Sequence, residues 1–380
     1  MTTDAGTLAS QIMEADIRFF HEAFSQWLDD PGITLACGRW SDGAILELIP
    51  QGHAAILPAA YDGCFAGVRE LRLQGVPHHM HIDLGRIHKL SFAVAPSVCL
   101  EFKPSFEVRL LLLGPGGAPT STWMVSLMLS TPYTRGALDK RSVLAFFRRA
   151  KQQANLRPDL VEMQIDPAVQ SSALGSEILE LLNEATDAES PGQSWQTALA
   201  AWASVVPPKI LETEPVCLPL LYEAIALKDA SLVIYREKTL VEFKTERLDG
   251  LHRYEEQGHV SWQIGALEDH HCHLALACVN KVLFSAEPVS CQGGGLNYTV
   301  WFLTPGASGN PYRRDGYFSI VLNRPYAGHE PRLDVITPVI DLYRRFCQED
   351  YVAADAQFMQ VLSEGVPGRN LHQKRPYAKA

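Results

Sequence analysis

Cysteine is scarce and poorly placed for chemistry: eight residues in a chain of 380, at positions 37, 64, 99, 217, 272, 278, 291 and 347, with no CxxC pair and no regular spacing. That argues against a disulfide framework and points to buried thiols of a reducing compartment. No run of about 18 apolar residues occurs, and the opening Met-Thr-Thr-Asp-Ala-Gly has neither a basic nor an apolar region of the kind a secretory signal needs. The expectation is a cytoplasmic protein. A formal net charge of −10 argues against nucleic acid as the main partner. Catalytic signatures are missing too: there is no GxSxG, HExxH, Walker loop or GxGxxG after a strand. Gly293-Gly294-Gly295 precedes a strand and reads as a loop, not a phosphate cradle. These absences favour a binding role over catalysis.

What the chain does have is an echo of itself. Pro77-His78-His79-Met80-His81 returns as Asp269-His270-His271-Cys272-His273, and Lys89, Phe92, Pro96, Val108 and Gly114 return as Lys281, Phe284, Pro288, Val300 and Gly306, each 192 residues on. Pro132-Tyr133 is echoed by Pro325-Tyr326 at 193, and Phe147-Arg148-Arg149 by Tyr343-Arg344-Arg345 at 196. A single echo arises by chance, whereas an aligned series whose offset slides only at Gly/Pro-rich stretches reads as a tandem duplication.

Thr3 to Asp30 reads as a helix with an apolar stripe through Leu8, Ile12, Phe20, Phe24 and Trp27, stopped by Asp-Asp-Pro-Gly. Short β-type runs follow to Pro132, joined by turn chemistry such as Gly114 to Pro119, and Arg141 to Gln153 is helical. From Ser231 the same plan repeats and closes with a helix from about Leu333 to Glu349. The expected fold is α+β: two repeated halves, each an antiparallel β-meander sheet flanked by helices, related by a pseudo-twofold duplication. The expected boundaries are residues 1–153, a helical connecting segment 154–208 with patterns over 173–185 and 194–206, a second repeat 209–350, and a tail 351–380.

Strand alternation sets His79 with His81 on one face, and likewise His271 with His273, with Cys272 turned away. Paired imidazoles can hold a transition metal or a haem iron, although histidines at strand edges also occur as half-buried polar residues. Lys89, Lys281, Arg148, Arg149, Arg344 and Arg345 are cations that recur without an obvious packing reason; they can grip a carboxylate or propionate, or answer a helix C-terminus.

The histidine-bearing strand, the segment Lys103-Pro104-Ser105-Phe106-Glu107-Val108-Arg109 with its following leucines, the glycine turn, Trp123 to Leu129 and the closing amphipathic helix together resemble one unit of the HemS/ChuX/HutX haem-utilisation superfamily. The layout resembles its tandem-duplicated HemS branch over most of the chain. The resemblance implies two stacked antiparallel sheets flanked by helices, and a cytoplasmic protein that binds, carries or degrades haem. The proximal histidine of that family falls nearest to His259 or His273 here. The alternative on the same scaffold is a non-catalytic accessory protein that adds a peptide, such as a natural-product precursor peptide, to an exposed sheet edge. A third reading is a metal-dependent enzyme using the HxH pairs. A homodimer is compatible with each.

Overall fold

The computed structural model describes residues 5–28, 30, 32–39, 44–48, 54–55, 70–73, 76–81, 84–97, 100, 103–114, 117–186, 214–236, 239–244, 250–256, 259–265, 271–274, 276–288, 295–303 and 318–368. The chain forms two compact units, one of Met1–Ser41 with Leu46–Pro207 and the other of Asp42–Ile45 with Pro208–Ala380. Among the described residues there are seven α-helices and mixed α+β architecture throughout.

In the first unit the order is α1 (Ala5–Leu28), β1 (Ile33–Arg39), β2 (Ala44–Leu48, whose first two residues belong to the second unit), β3 (Ala54–Ala55), β4 (Glu70–Leu73), β5 (Val76–His81), β6 (Ile87–Pro96), β7 (Pro104–Leu113), β8 (Pro119–Leu129), β9 (Tyr133–Thr134), β10 (Ala137–Leu138), α2 (Lys140–Leu156), β11 (Val161–Ile165), α3 (Pro167–Gln170) and α4 (Gly175–Thr186). Strands run side by side as β11-β6-β7-β8-β1-β2 and as β5-β4-β3. Leu90↔Leu110, Phe92↔Val108 and Val94↔Phe106 fix the register of the β6–β7 pair, and the Gly114–Ala118 backbone bond at 2.8 Å closes the β7–β8 loop. Alternation gives one face of β7 to Phe106, Val108, Leu110 and Leu112, all buried. Against it pack Trp27 of α1 and Phe146 and Phe147 of α2, with Phe106–Phe146 centroids at 5.8 Å and Trp27–Phe146 at 5.7 Å. Asp139 starts α2 by accepting from the Arg141 and Ser142 amides.

The second unit runs α5 (Leu218–Ile225), β12 (Ala230–Arg236), β13 (Thr239–Lys244), β14 (Leu251–Glu256), β15 (His259–Ile264), β16 (His271–Leu274), β17 (Lys281–Pro288), β18 (Leu296–Leu303), β19 (Phe318–Leu322), β20 (Tyr326–Ala327), β21 (Glu330–Pro331), α6 (Leu333–Phe346), β22 (Val352–Ala354) and α7 (Ala356–Glu364). Its strands run as β22-β17-β18-β19-β12-β13 and as β16-β15-β14. The core is built on Phe284, which meets Tyr343 of α6 at 5.3 Å and Phe358 of α7 at 5.6 Å.

The sequence led us to expect purely antiparallel sheets, and the sheets are mixed. β11 lies parallel to β6 (Val161↔Leu90 to Ile165↔Val94), and β22 lies parallel to β17. Each follows a helix, α2 or α6, and a helical crossover is the connection that returns a chain parallel to an earlier strand. β11 therefore sits inside the stretch read as a helical connector, and β22 with α7, anchored by buried Phe358 and Val361, inside the expected tail. The helical pattern over 194–206, His270, Gly306 and residues 369–380 lie outside the described residues.

Candidate functional site

β14, β15 and β16 carry the histidine signal that the sequence singled out. Their ladders align His252 with Gln263 and Gln263 with His273, so one row of polar residues crosses three strands. His252 at the outer strand is exposed, Gln263 is 1% exposed and His273 5%. His271, two residues before His273 and 4% exposed, shares that face of β16, and the two rings meet edge to face at 4.9 Å with an interplanar angle of 90°. Cys272 between them pairs with Ile264 and is buried on the other face, as alternation requires. The Gln263 amide donates to the Gly265 carbonyl at 2.8 Å, while its Oε1 is buried without a hydrogen-bond partner. An orphaned buried acceptor is rare, and here it stands directly across the ladder from an imidazole. His259 opens β15 opposite Glu256. For His259, and for His79 and His81 in β5, the backbone is described and the side chains lie outside what is. Among the described residues no group of three or more His, Cys, Asp or Glu side chains converges as a metal site would need.

The recurring cations are placed singly. Lys89 reaches Glu162 of β11 at 3.3 Å. Arg149 lies over the Trp27 ring at 4.4 Å and reaches Asp30 at 3.4 Å, while Arg148 points outward to Glu184 at 3.5 Å. In the second unit Arg344 pairs with Asp341 at 3.1 Å and Arg345 with Glu223. The last two stand in the final turn of α6, where a cation meets the carbonyl end of the helix. Lys281 opens β17 opposite Leu303. Lys89, Arg148, Arg149, Arg344 and Arg345 each reach a different carboxylate.

Sequence reading passed over a second polar site, on the face of β7 opposite its aromatic core. The Ser105 hydroxyl donates to Glu107 Oε1 at 2.6 Å, Arg109 Nε donates to Glu107 Oε2 at 3.0 Å, and the Arg109 guanidinium lies 4.1 Å over the Trp123 ring. Glu107 is 8% and Arg109 6% exposed. Small neighbours make room for these long side chains: Ala95, Ala93 and Ser91 of β6 stand opposite Ser105, Glu107 and Arg109, and Ser126 of β8 flanks Arg109 on the other side. Ser91 Oγ is fully buried without a partner. The signal was present as two charges at period two inside an otherwise apolar strand.

No family model matches this sequence, and no curated protein matches it. Among solved structures the chain is similar to holo-PhuS, a heme-binding protein from Pseudomonas aeruginosa, with a TM-score of 0.41 and 11% identity over 82% of each chain.

Proposed function

We propose that the protein binds haem on its second unit, with His273 as the axial ligand to iron, and that its two units descend from one duplicated element. The observation that carries the first part is the buried His271–His273 pair beside Gln263. An iron ligand must offer one ring nitrogen while the other is held by an acceptor that fixes ring and tautomer. Gln263 Oε1 is an acceptor without another partner, one position across the ladder from His273. Bound haem would supply iron for ligand exchange; the chain would supply the imidazole, its orientation and a dry setting. Both rings are covered in this form, so hemin must displace what covers them, and association is expected to be slow. The duplication is supported by the echoes in sequence and by the like order β11-β6-β7-β8-β1-β2 and β22-β17-β18-β19-β12-β13.

The test is a visible absorption titration with hemin on the wild type, His273→Ala, His271→Ala and His259→Ala, each checked for an unchanged far-ultraviolet circular dichroism spectrum. A saturating Soret shift at near one-to-one stoichiometry, lost in His273→Ala and kept in His259→Ala, is expected. A wild type without a specific shift, or a folded His273→Ala that titrates like it, overturns the reading.

A further inference from the structure

β14 ends its run of strands: among the described residues it is hydrogen-bonded to β15 alone. Its sequence, Leu251-His252-Arg253-Tyr254-Glu255-Glu256, is antisymmetric in charge about Tyr254. Arg253 and Glu255 are exposed and lie on one side of the strand, 3.0 Å apart. The other edges of the two large sheets differ: β3 is two residues long, β22 is three, and β11 is buried at Val161, Met163 and Ile165.

We propose that β14 is a self-pairing edge, through which two copies of the chain join antiparallel with Tyr254 on the twofold axis. In that register Arg253 of each copy stands opposite Glu255 of the other, so the interface carries two opposite-charge cross-strand pairs. Shifting the register by two residues in either direction sets Glu255 against Glu255 or Arg253 against Arg253, which is repulsive. Charge therefore selects one alignment. Mixed charge on an edge strand also serves to block pairing, but a blocking edge has no need of a sign reversal about one residue. A closed twofold leaves no further β14 edge, so assembly stops at the dimer. The inference does not depend on haem.

The test is sedimentation velocity on the full chain, with Arg253→Glu and Glu255→Arg, alone and mixed. Both positions are exposed, so both variants should fold. The wild type is expected to dimerise, and each variant to weaken the dimer roughly tenfold or more, since both pairs become like-charged. The equimolar mixture restores the dimer, because the two altered strands complement each other. A wild type that stays monomeric at high concentration, variants that dimerise as the wild type does, or a mixture that fails to associate would each overturn the proposal.

Discussion

The face of β7 opposite its aromatic core and the matching face of β18 solve one packing problem in different ways. Ser105, Glu107 and Arg109 stand 192 residues before Asn297, Thr299 and Trp301, and in both units the flanking strand contributes a fully buried serine, Ser91 or Ser285. In the first unit the long side chains are an ion pair whose guanidinium rests on Trp123. In the second, Trp301 occupies the corresponding position and its Nε1–H donates to Ser285 Oγ at 2.8 Å. Ser285, which stands 192 residues after Ala93 and not after Ser91, has a partner, whereas Ser91 has none. A sheet face shielded from water tolerates full charges only when each is compensated on the spot, and a single neutral donor is the simpler arrangement. The tyrosines at Tyr133 and Tyr326 differ in the same spirit. Lys103 reaches over the Tyr133 ring at 5.9 Å, whereas the position 192 residues on is Gly295, bare against the Tyr326 ring.

The contrast breaks most sharply at Arg109. Arg109→Met leaves Glu107 buried without its cation and should lower stability by about 3–5 kcal/mol in urea denaturation. Adding Glu107→Gln should restore most of that loss; a single variant within about 1 kcal/mol of wild type would mean the pair is already hydrated. Next comes Gly295→Ala, whose new Cβ would fall 2.8 Å from two carbons of the Tyr326 ring. Overpacking of that kind costs about 1–3 kcal/mol, read as a lower melting temperature, and Tyr326→Leu in the same chain should relieve part of it. Smaller still is Trp301→Phe, which removes one donor to Ser285 and should cost about 1 kcal/mol. The gentlest probe is alkaline titration followed by phenolate absorbance. Burial pushes the Tyr133 phenol up to about 12 from an ordinary 10.0, and drives Tyr298 of the second unit up as well. Above pH 10 the unfolded chain sheds a proton that the folded Tyr133 keeps, so its contribution to stability falls between pH 10 and 12. Tyr133→Phe should remove that part of the fall.

Much of the scaffold was legible because its strands bury one apolar set at period two: Phe106 to Leu113, Trp123 to Leu129 and Tyr298 to Leu303 all lie in strands, and alternation placed His271 beside His273. β14 was missed because His252-Arg253-Tyr254-Glu255 has no apolar face, which is what an edge strand looks like in sequence. β11 and β22 were missed because they are short and their pairing depends on partners some seventy residues away, which no local pattern records. Missing β11 also hid the partner of Lys89, since Glu162 lies on it. Glu107 and Arg109 stood inside a strand correctly read, and their pairing on its hidden face was the part that needed three dimensions.

The parallel strands have a consequence for how the chain is made. Synthesis proceeds from the N-terminus, and Leu90 of β6 acquires its outer neighbour only when Val161 has emerged. Until then β6 presents an unpaired hydrogen-bonding row to every other nascent chain in the cell. The same wait recurs between Val282 and Val352. Translation therefore passes twice through a window in which a stalled or truncated chain is most prone to aggregate, and each window shuts with the strand that follows a long helix.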